Sequence, residues 1–174
     1  MIQIKNITQE QAGAFWELRL EALRTHPEAF YTSYEDSVQT PLEEVAKRIK
    51  NEPDDYILGA FAKNGQIVGI TGFRRGQGMK FKHKGMIWGV YVAPDYRGKG
   101  IAKQLLQEVL KRGEDLEGLK QINLSVVTIN QAAAGLYKKL GFQIYGVEKN
   151  ALEYNDQGYD EEYMTYYLNK FKKA

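Results

Sequence analysis

Residues 92–110 read VAPDYRGKGIAKQLLQEVL. An apolar strand end passes through a proline into Arg97-Gly98-Lys99-Gly100 and then, without a break, into an amphipathic helix. Ile101, Leu105, Leu106, Val109 and Leu110 fall on one stripe of that helix. A helix N-terminus leaves backbone N–H groups unpaired and carries about half a positive charge. Two glycines at that point let an anion approach the backbone closely. Arg97, Lys99 and Lys103 add positive charge. The stretch reads as a pocket for a pyrophosphate-like anion at the end of a strand over 87–92. Taken alone, it fits an ordinary strand-to-helix turn with solvated lysines equally well.

Two other phosphate loops are excluded directly. A Walker A loop needs a hydroxyl after Gly-Lys, and here Gly98-Lys99 is followed by Gly100-Ile101-Ala102. A dinucleotide fingerprint needs a third glycine, where this chain has Lys103.

Working outward, Ile2 and Ile4 alternate with polar residues and predict a short first strand. Thr8 to Gln11 reads as a capping box for a helix whose apolar face is Ala12, Phe15, Leu18, Ala22 and Leu23. His26-Pro27 ends it. Thr40 as cap and Pro41 as first helical residue predict a second helix. Strands over 57–62 and 66–73 flank Asn64-Gly65, a hairpin signal in which both turn residues take positive φ. A strand over 86–92 is apolar on both faces, as in a sheet centre. Gln121 to Thr128 alternates as a strand, Asn130 caps a helix that Gly141 stops, and strands over 142–147 and 163–168 follow. The order β-α-α-β-β-β-α-β-α-β-β predicts an α/β (α+β) mixed sheet with helices on both faces.

The chain has 174 residues, fits one domain, and carries a net charge of +2. That balance argues against nucleic acid as a partner. The basic run Lys80 to Lys84 reads better as a strand edge guarded by lysines. There is no cysteine, hence no disulfide, thiolate metal site or cysteine nucleophile. No leader and no apolar run near the ~20 residues of a membrane span are visible. The expected compartment is the cytoplasm.

Val92 to Ala102 resembles the acetyl-coenzyme A loop of the GNAT superfamily of N-acetyltransferases, with Arg97, Gly100 and Ala102 in the positions of its Arg/Gln-x-x-Gly-x-Gly/Ala pattern. Asn130 to Phe142 is similar to that family's second motif, in which an asparagine opens a helix that closes with Tyr-x-x-x-Gly-Phe. The resemblance is strong over 57–147 and looser at both ends. It implies a single N-acetyltransferase domain over 1–174. It implies a mostly antiparallel sheet of six to seven strands, with a splayed central parallel pair formed by 89–92 and 121–128. It implies acetyl-CoA as acetyl donor, with no metal.

In that frame the backbone of Val90 and Val92, beside Tyr91, holds the pantetheine arm, and one N–H of this strand polarises the thioester carbonyl. Gly98, Lys99, Gly100, Ile101 and Ala102 surround the pyrophosphate. Arg97 and Lys103 add charge, and Asn130 and Ala133 face the arm. Tyr137 is the expected catalytic acid, because a phenol near pKa ~10 can protonate a departing thiolate near ~8.5. Without that context, Tyr137 would read as a core residue on the stripe of Ala133, Leu136 and Leu140.

The general base is open among Glu35, Glu148, Glu153 and water, since residues 86–91 hold no carboxylate. The acceptor side is expected around Phe30, Tyr31, Glu35, Trp88 and Glu148, with Tyr34, Tyr154, Tyr159 and Tyr163 nearby. Packing or a homodimer contact explains most of these aromatics equally well. The acceptor is a small-molecule or peptide amine. The alternative function is a catalytically silent acyl-CoA-binding regulatory domain, against which the intact Tyr137 argues.

Overall fold

The computed structural model describes residues 1–172. Its seven strands are β1 (Gln3–Asn6), β2 (Asp55–Phe61), β3 (Ile67–Arg75), β4 (Lys84–Val92), β5 (Gln121–Val127), β6 (Gln143–Tyr154) and β7 (Gln157–Tyr167). They form one sheet in the order β1-β2-β3-β4-β5-β7-β6. Only β4 and β5 run parallel; every other neighbouring pair is antiparallel. The helices are α1 (Ala12–Thr25), α2 (Tyr34–Ser37), α3 (Leu42–Arg48), α4 (Ile101–Asp115), α5 (Gln131–Leu140) and α6 (Asn169–Lys172).

The apolar stripes assign the helices to opposite faces of the sheet. Phe15, Leu18 and Ala22 of α1 and Val45 of α3 pack with Phe61, Ile70 and Tyr91 in one core. Leu105, Leu106 and Val109 of α4 and Tyr137 of α5 pack with Leu58, Ile122 and Met164 in the other. The mixed sheet with helices on both faces, expected from the element order, is what forms.

Several local expectations are corrected. The Thr8 N–H does donate to Gln11 Oε1 at 2.9 Å, but the box opens a 3-10 turn, Gln9–Gln11, before α1 begins. Pro41, not Thr40, caps α3, because Pro41 is extended and its carbonyl accepts from Glu44 and Val45. At Asn64-Gly65 only Gly65 takes a positive φ, of 84°. Asn64 Oδ1 accepts from the Gln66 N–H at 3.0 Å instead, giving a longer loop closed by Ala62 and Gln66. The two-residue turn with both φ positive lies at Asn155 (50°) and Asp156 (59°), where it joins β6 to β7. That hairpin extends both strands beyond 142–147 and 163–168, and it leaves Phe142 and Leu168 outside them. Lys80 to His83 lie in a turn that leads into β4 rather than on a strand edge. The helices α2 and α6 were not expected; each is one turn long and too short to show a period.

The site depends on how β4 leaves β5. The parallel pairing covers only Lys84–Met86 against Gln121–Asn123. On its other side β4 stays paired to β3, but Ile70 faces Tyr91 while Gly72 faces Trp88. Thus β4 has two residues where β3 has one, a bulge that bends the strand. Gly89 sits in this bulge at φ 66°, a conformation that costs a residue with a Cβ about 1–2 kcal/mol. The ends of β4 and β5 diverge from there into a cleft.

Gly89→Ala is expected to lower stability by about 1–2 kcal/mol, a fall in Tm of roughly 2–8 °C for a domain of this size. Gly135→Ala makes a control of opposite sign. Its Cβ would meet nothing within 4 Å on α5, so it should stabilise by up to about 1 kcal/mol. Thermal unfolding reads both, and an unchanged Tm for Gly89→Ala would contradict the bulge.

Candidate active site

Between the diverging strands lies a cleft of ≈ 500 Å³, lined among others by Val90, Val92, Ala102, Asn130, Ala133 and Tyr137. β4 supplies one wall and α5 the other, and the N-terminus of α4 closes one end. Residues from both sequence motifs thus meet in one cavity.

At the α4 end, Gly98 and Gly100 have φ of 73° and 74°, and a Cβ on either would meet nothing within 4 Å. Gly100 caps α4 without a side chain to accept an N–H. The first helical bond here runs from the Gln104 N–H to the Gly100 carbonyl at 3.0 Å. The amides of Ile101, Ala102 and Lys103 therefore precede the helical ladder. The Ile101 side chain is buried, with 2% exposure, so only its backbone is available to a ligand.

The nearby cations divide. Lys103 is exposed on the first turn of α4. Lys99 Nζ donates back to the Asp95 carbonyl at 3.0 Å and lies 5.0 Å from the centre of the Tyr96 ring. Arg97 Nε donates to the Val92 carbonyl at 2.9 Å, and its Nη2 lies 3.2 Å from His26 Nε2. Arg97 therefore ties the loop to the end of β4. Tyr91 lines the cleft, yet its hydroxyl is held in the α1 layer, donating to Glu21 Oε1 at 2.9 Å.

On the other wall, Asn130 Oδ1 accepts from the Ala133 N–H at 3.2 Å, so the expected cap of α5 forms. Gly141 ends α5 at φ 108°, and the Phe142 N–H donates to the Tyr137 carbonyl at 3.0 Å. The Tyr137 ring meets Phe142 edge-on with centroids 6.1 Å apart. Burial pushes the Tyr137 phenol up to about 12.

Tyr137 also lines a second, smaller hollow of ≈ 60 Å³, shared with Phe30, Trp88, Gly89 and Ser125. Trp88 lies over Gly72, where a Cβ would stand 2.0 Å from the indole. The Arg19 guanidinium is 4.8 Å from the Phe30 ring and 5.7 Å from the Trp88 ring, and burial pushes it down to about 10.

None of the sequence-selected carboxylates lines this hollow, although Glu148 stands opposite Glu161 in the sheet. Glu35 accepts from the Tyr154 hydroxyl at 3.1 Å, Glu148 accepts from Tyr163, and Glu153 is exposed near the hairpin tip. Tyr31, 65% exposed, reaches inward through its hydroxyl alone. That hydroxyl donates to Glu161 Oε2 at 2.9 Å and lies 3.0 Å from Ser125 Oγ.

Glu161, Ser125 and Arg19 were missed by the sequence reading. Glu161 is 3% exposed, yet Asp160-Glu161-Glu162 reads as a solvated run. Strand alternation within β7 was the available signal, and it required the true start of that strand. Ser125 falls on the polar side of an alternating strand, and Arg19 falls off the apolar stripe of α1, so neither position carried a local signal.

Comparisons with known proteins agree with this geometry. Residues 15–142 match the model of the acetyltransferase (GNAT) family. An acetyltransferase of Pectobacterium atrosepticum is 31% identical over 103 residues, covering 59% of this chain and 67% of that one. The fold is that of an acetyltransferase of GNAT family from Streptococcus pneumoniae, with a TM-score of 0.84 at 24% identity over 97% of this chain and 100% of that one. It is also that of yncA from Salmonella typhimurium, solved with acetyl-CoA, with a TM-score of 0.78 at 19% identity over 97% and 95% of the two chains. A family model spanning most of the chain, matched over both motifs that line the cleft, makes this protein a member of the GNAT acetyltransferase family.

Proposed function

We propose that the protein transfers an acetyl group from acetyl-CoA to a primary amine by direct attack. The observation that carries this reading is the single cleft of ≈ 500 Å³ that reaches from Ala102 at the α4 N-terminus to Tyr137. An elongated thioester with a charged phosphate end suits that shape. The amides of Gly98, Gly100, Ile101 and Ala102 receive the diphosphate, helped by the α4 dipole. The edge of β4 that faces away from β3 around Val90 and Val92, where the Val92 carbonyl already accepts from Arg97, takes the pantetheine amides as an added strand would. Asn130 and Ala133 face the arm from α5.

The thioester carbon then lies near the bulge, where a β4 N–H stabilises the oxyanion formed when the amine attacks. As the C–S bond breaks, Tyr137 gives its proton to the sulfur. A phenol near 12 stays fully protonated at neutral pH, so the donor form is always present. A donor this weak does not protonate the sulfur beforehand; it donates as thiolate charge develops. The acceptor enters from the smaller hollow between Phe30, Trp88 and Ser125.

Gly100→Glu is expected to weaken acetyl-CoA binding at least 100-fold by calorimetry, and near-normal affinity would contradict the cradle. Tyr137→Phe is expected to lower turnover at least 100-fold while the acetyl-CoA Kd stays within threefold.

Tyr137 also marks stability. Its raised phenol pKa stabilises the fold fully below pH 10, where the unfolded chain starts to release the proton. That contribution is lost as pH rises to about 12. A rise from 10.0 to about 12 corresponds to about 3 kcal/mol. Denaturant unfolding between pH 9 and 12 should therefore show wild type losing more stability than Tyr137→Phe. Parallel curves would mean the phenol is not buried.

A further inference from the structure

Amine attack on a thioester leaves a surplus proton on nitrogen, and the chain must provide somewhere for it to go. The strand that borders the thioester offers no carboxylate between Met86 and Val92. Across the cleft, Ser125 is the one hydroxyl that lines the same hollow as Tyr137, apart from Tyr137 itself. Its Oγ lies 3.0 Å from the Tyr31 hydroxyl, which donates to Glu161 Oε2 at 2.9 Å. The three groups come from β5, from the segment after α1 and from β7. Ser125 faces Tyr163 in the sheet, and Glu161 lies two residues before Tyr163 on β7. Ser125 and Glu161 therefore share one face.

We infer that Glu161 is the terminal acceptor of the amine proton, reached through the hydroxyls of Ser125 and Tyr31. The inference rests on the acetyl-transfer reading above and supplies the base that the sequence did not reveal. The step balances as follows. The amine nitrogen bonds to the carbonyl carbon and passes one proton to Ser125 Oγ. Ser125 passes its own proton to Tyr31 Oη, and Tyr31 passes its proton to the Glu161 carboxylate. The C–S bond breaks, and the sulfur takes the Tyr137 proton. The products are an amide and a thiol, with Glu161 one proton richer and Tyr137 one poorer. Solvent restores both.

The surroundings suit a base. Among the described residues no Lys, Arg or His makes an ion pair with Glu161. The charged or titratable groups facing it are Tyr31, Glu148 on β6 and Tyr163 on β7. Burial raises the Glu161 carboxyl above the usual glutamate range, and the neighbouring Glu148 adds to this. The hydrogen bond from Tyr31 and the nearby Ser125 hydroxyl act in the opposite direction. Glu148 is exposed and bound by Tyr163, and its charge adds to the effect of burial on Glu161.

The test uses three amine probes, spermidine, ethanolamine and a tripeptide with a free N-terminus, with release of free thiol recorded from pH 5 to 9. For any probe turned over, log kcat/KM should rise with slope two below the Glu161 transition, from amine and carboxylate together, and with slope one from there to the pKa of the amine, which is about 8 for the tripeptide and higher for the other two. Glu161→Gln should lower kcat/KM at least 100-fold and leave slope one at every pH below the amine pKa, with acetyl-CoA Kd within threefold. Tyr31→Phe and Ser125→Ala should lower it at least tenfold. Tyr137→Phe should lower the rate at every pH and keep both slopes, which separates the two roles.

Glu161→Gln with a wild-type rate and both slopes would overturn the inference alone. A wild-type enzyme inert to all three amines would sink the transfer reading and the inference with it. Carboxyl carbon NMR of the acetyl-CoA complex decides independently of any acceptor. Glu161 should titrate above the ordinary glutamate range, and higher still in Ser125→Ala; titration at or below that range would overturn the inference.

Discussion

Three residues of parallel pairing separate a closed sheet from an open one in this protein. Beyond Met86 and Asn123, β4 and β5 make no ladder, and backbone groups that a sheet would satisfy internally face a cavity instead. Buried backbone N–H and C=O groups need partners, so the open segment is stable only if water or a ligand supplies them. The bulge at Gly89 keeps it open. β4 remains held to β3 on one side and to the Arg97 side chain at its end, so it cannot swing back to pair with β5. The α4 N-terminus lies at the end of this same strand, because Pro94 to Gly100 is too short a connection to carry it elsewhere.

The cleft is polarised along its length. One end has helix amides, two glycines with open space where side chains would be, and Lys103. The other end has Tyr137, aromatic walls and the Ser125–Tyr31–Glu161 chain. Much of the positive character at the first end comes from backbone dipoles, since Arg97 is engaged with the Val92 carbonyl at the end of β4 and Lys99 with the Asp95 carbonyl of its own loop. On the proposed reading, geometry rather than net charge suits this end to a diphosphate. Outside the cleft lining, each of three carboxylates, Glu35, Glu148 and Glu161, accepts from a tyrosine. The abundance of tyrosine in the first loop and the last hairpin thus has a local explanation.

Legibility in the sequence tracked the range of the interactions. The α4 loop and the α5 helix were readable because cap, stripe and stop lie within about a dozen residues of one another. Asn130 bonds an amide three positions away, and Gly141 stops the helix it follows. The layers followed from the stripes of α1 and α4. By contrast, the Glu161 environment depends on Tyr31, 130 positions away, and on the start of β7. No local pattern encodes that distance. The bulge at Gly89 was also hidden, since a glycine inside an apolar strand is compatible with a regular ladder until the β3 register is known. At Asn64-Gly65 the dipeptide marked the hairpin but not its turn, because the Asn64 side chain captured the Gln66 amide.

The central claim is that the edge of β4 that faces away from β3 and the amides before the α4 ladder form one ligand surface. Amide NMR of nitrogen-labelled protein titrated with coenzyme A reads those groups directly. The account predicts that the largest shifts fall on the N–H groups of Val90, Val92, Gly98, Gly100 and Ala102, saturating together. Shifts centred on the separate hollow of ≈ 360 Å³ beside Asn6, Tyr56 and Arg112, with the β4 and α4 amides unmoved, would contradict it.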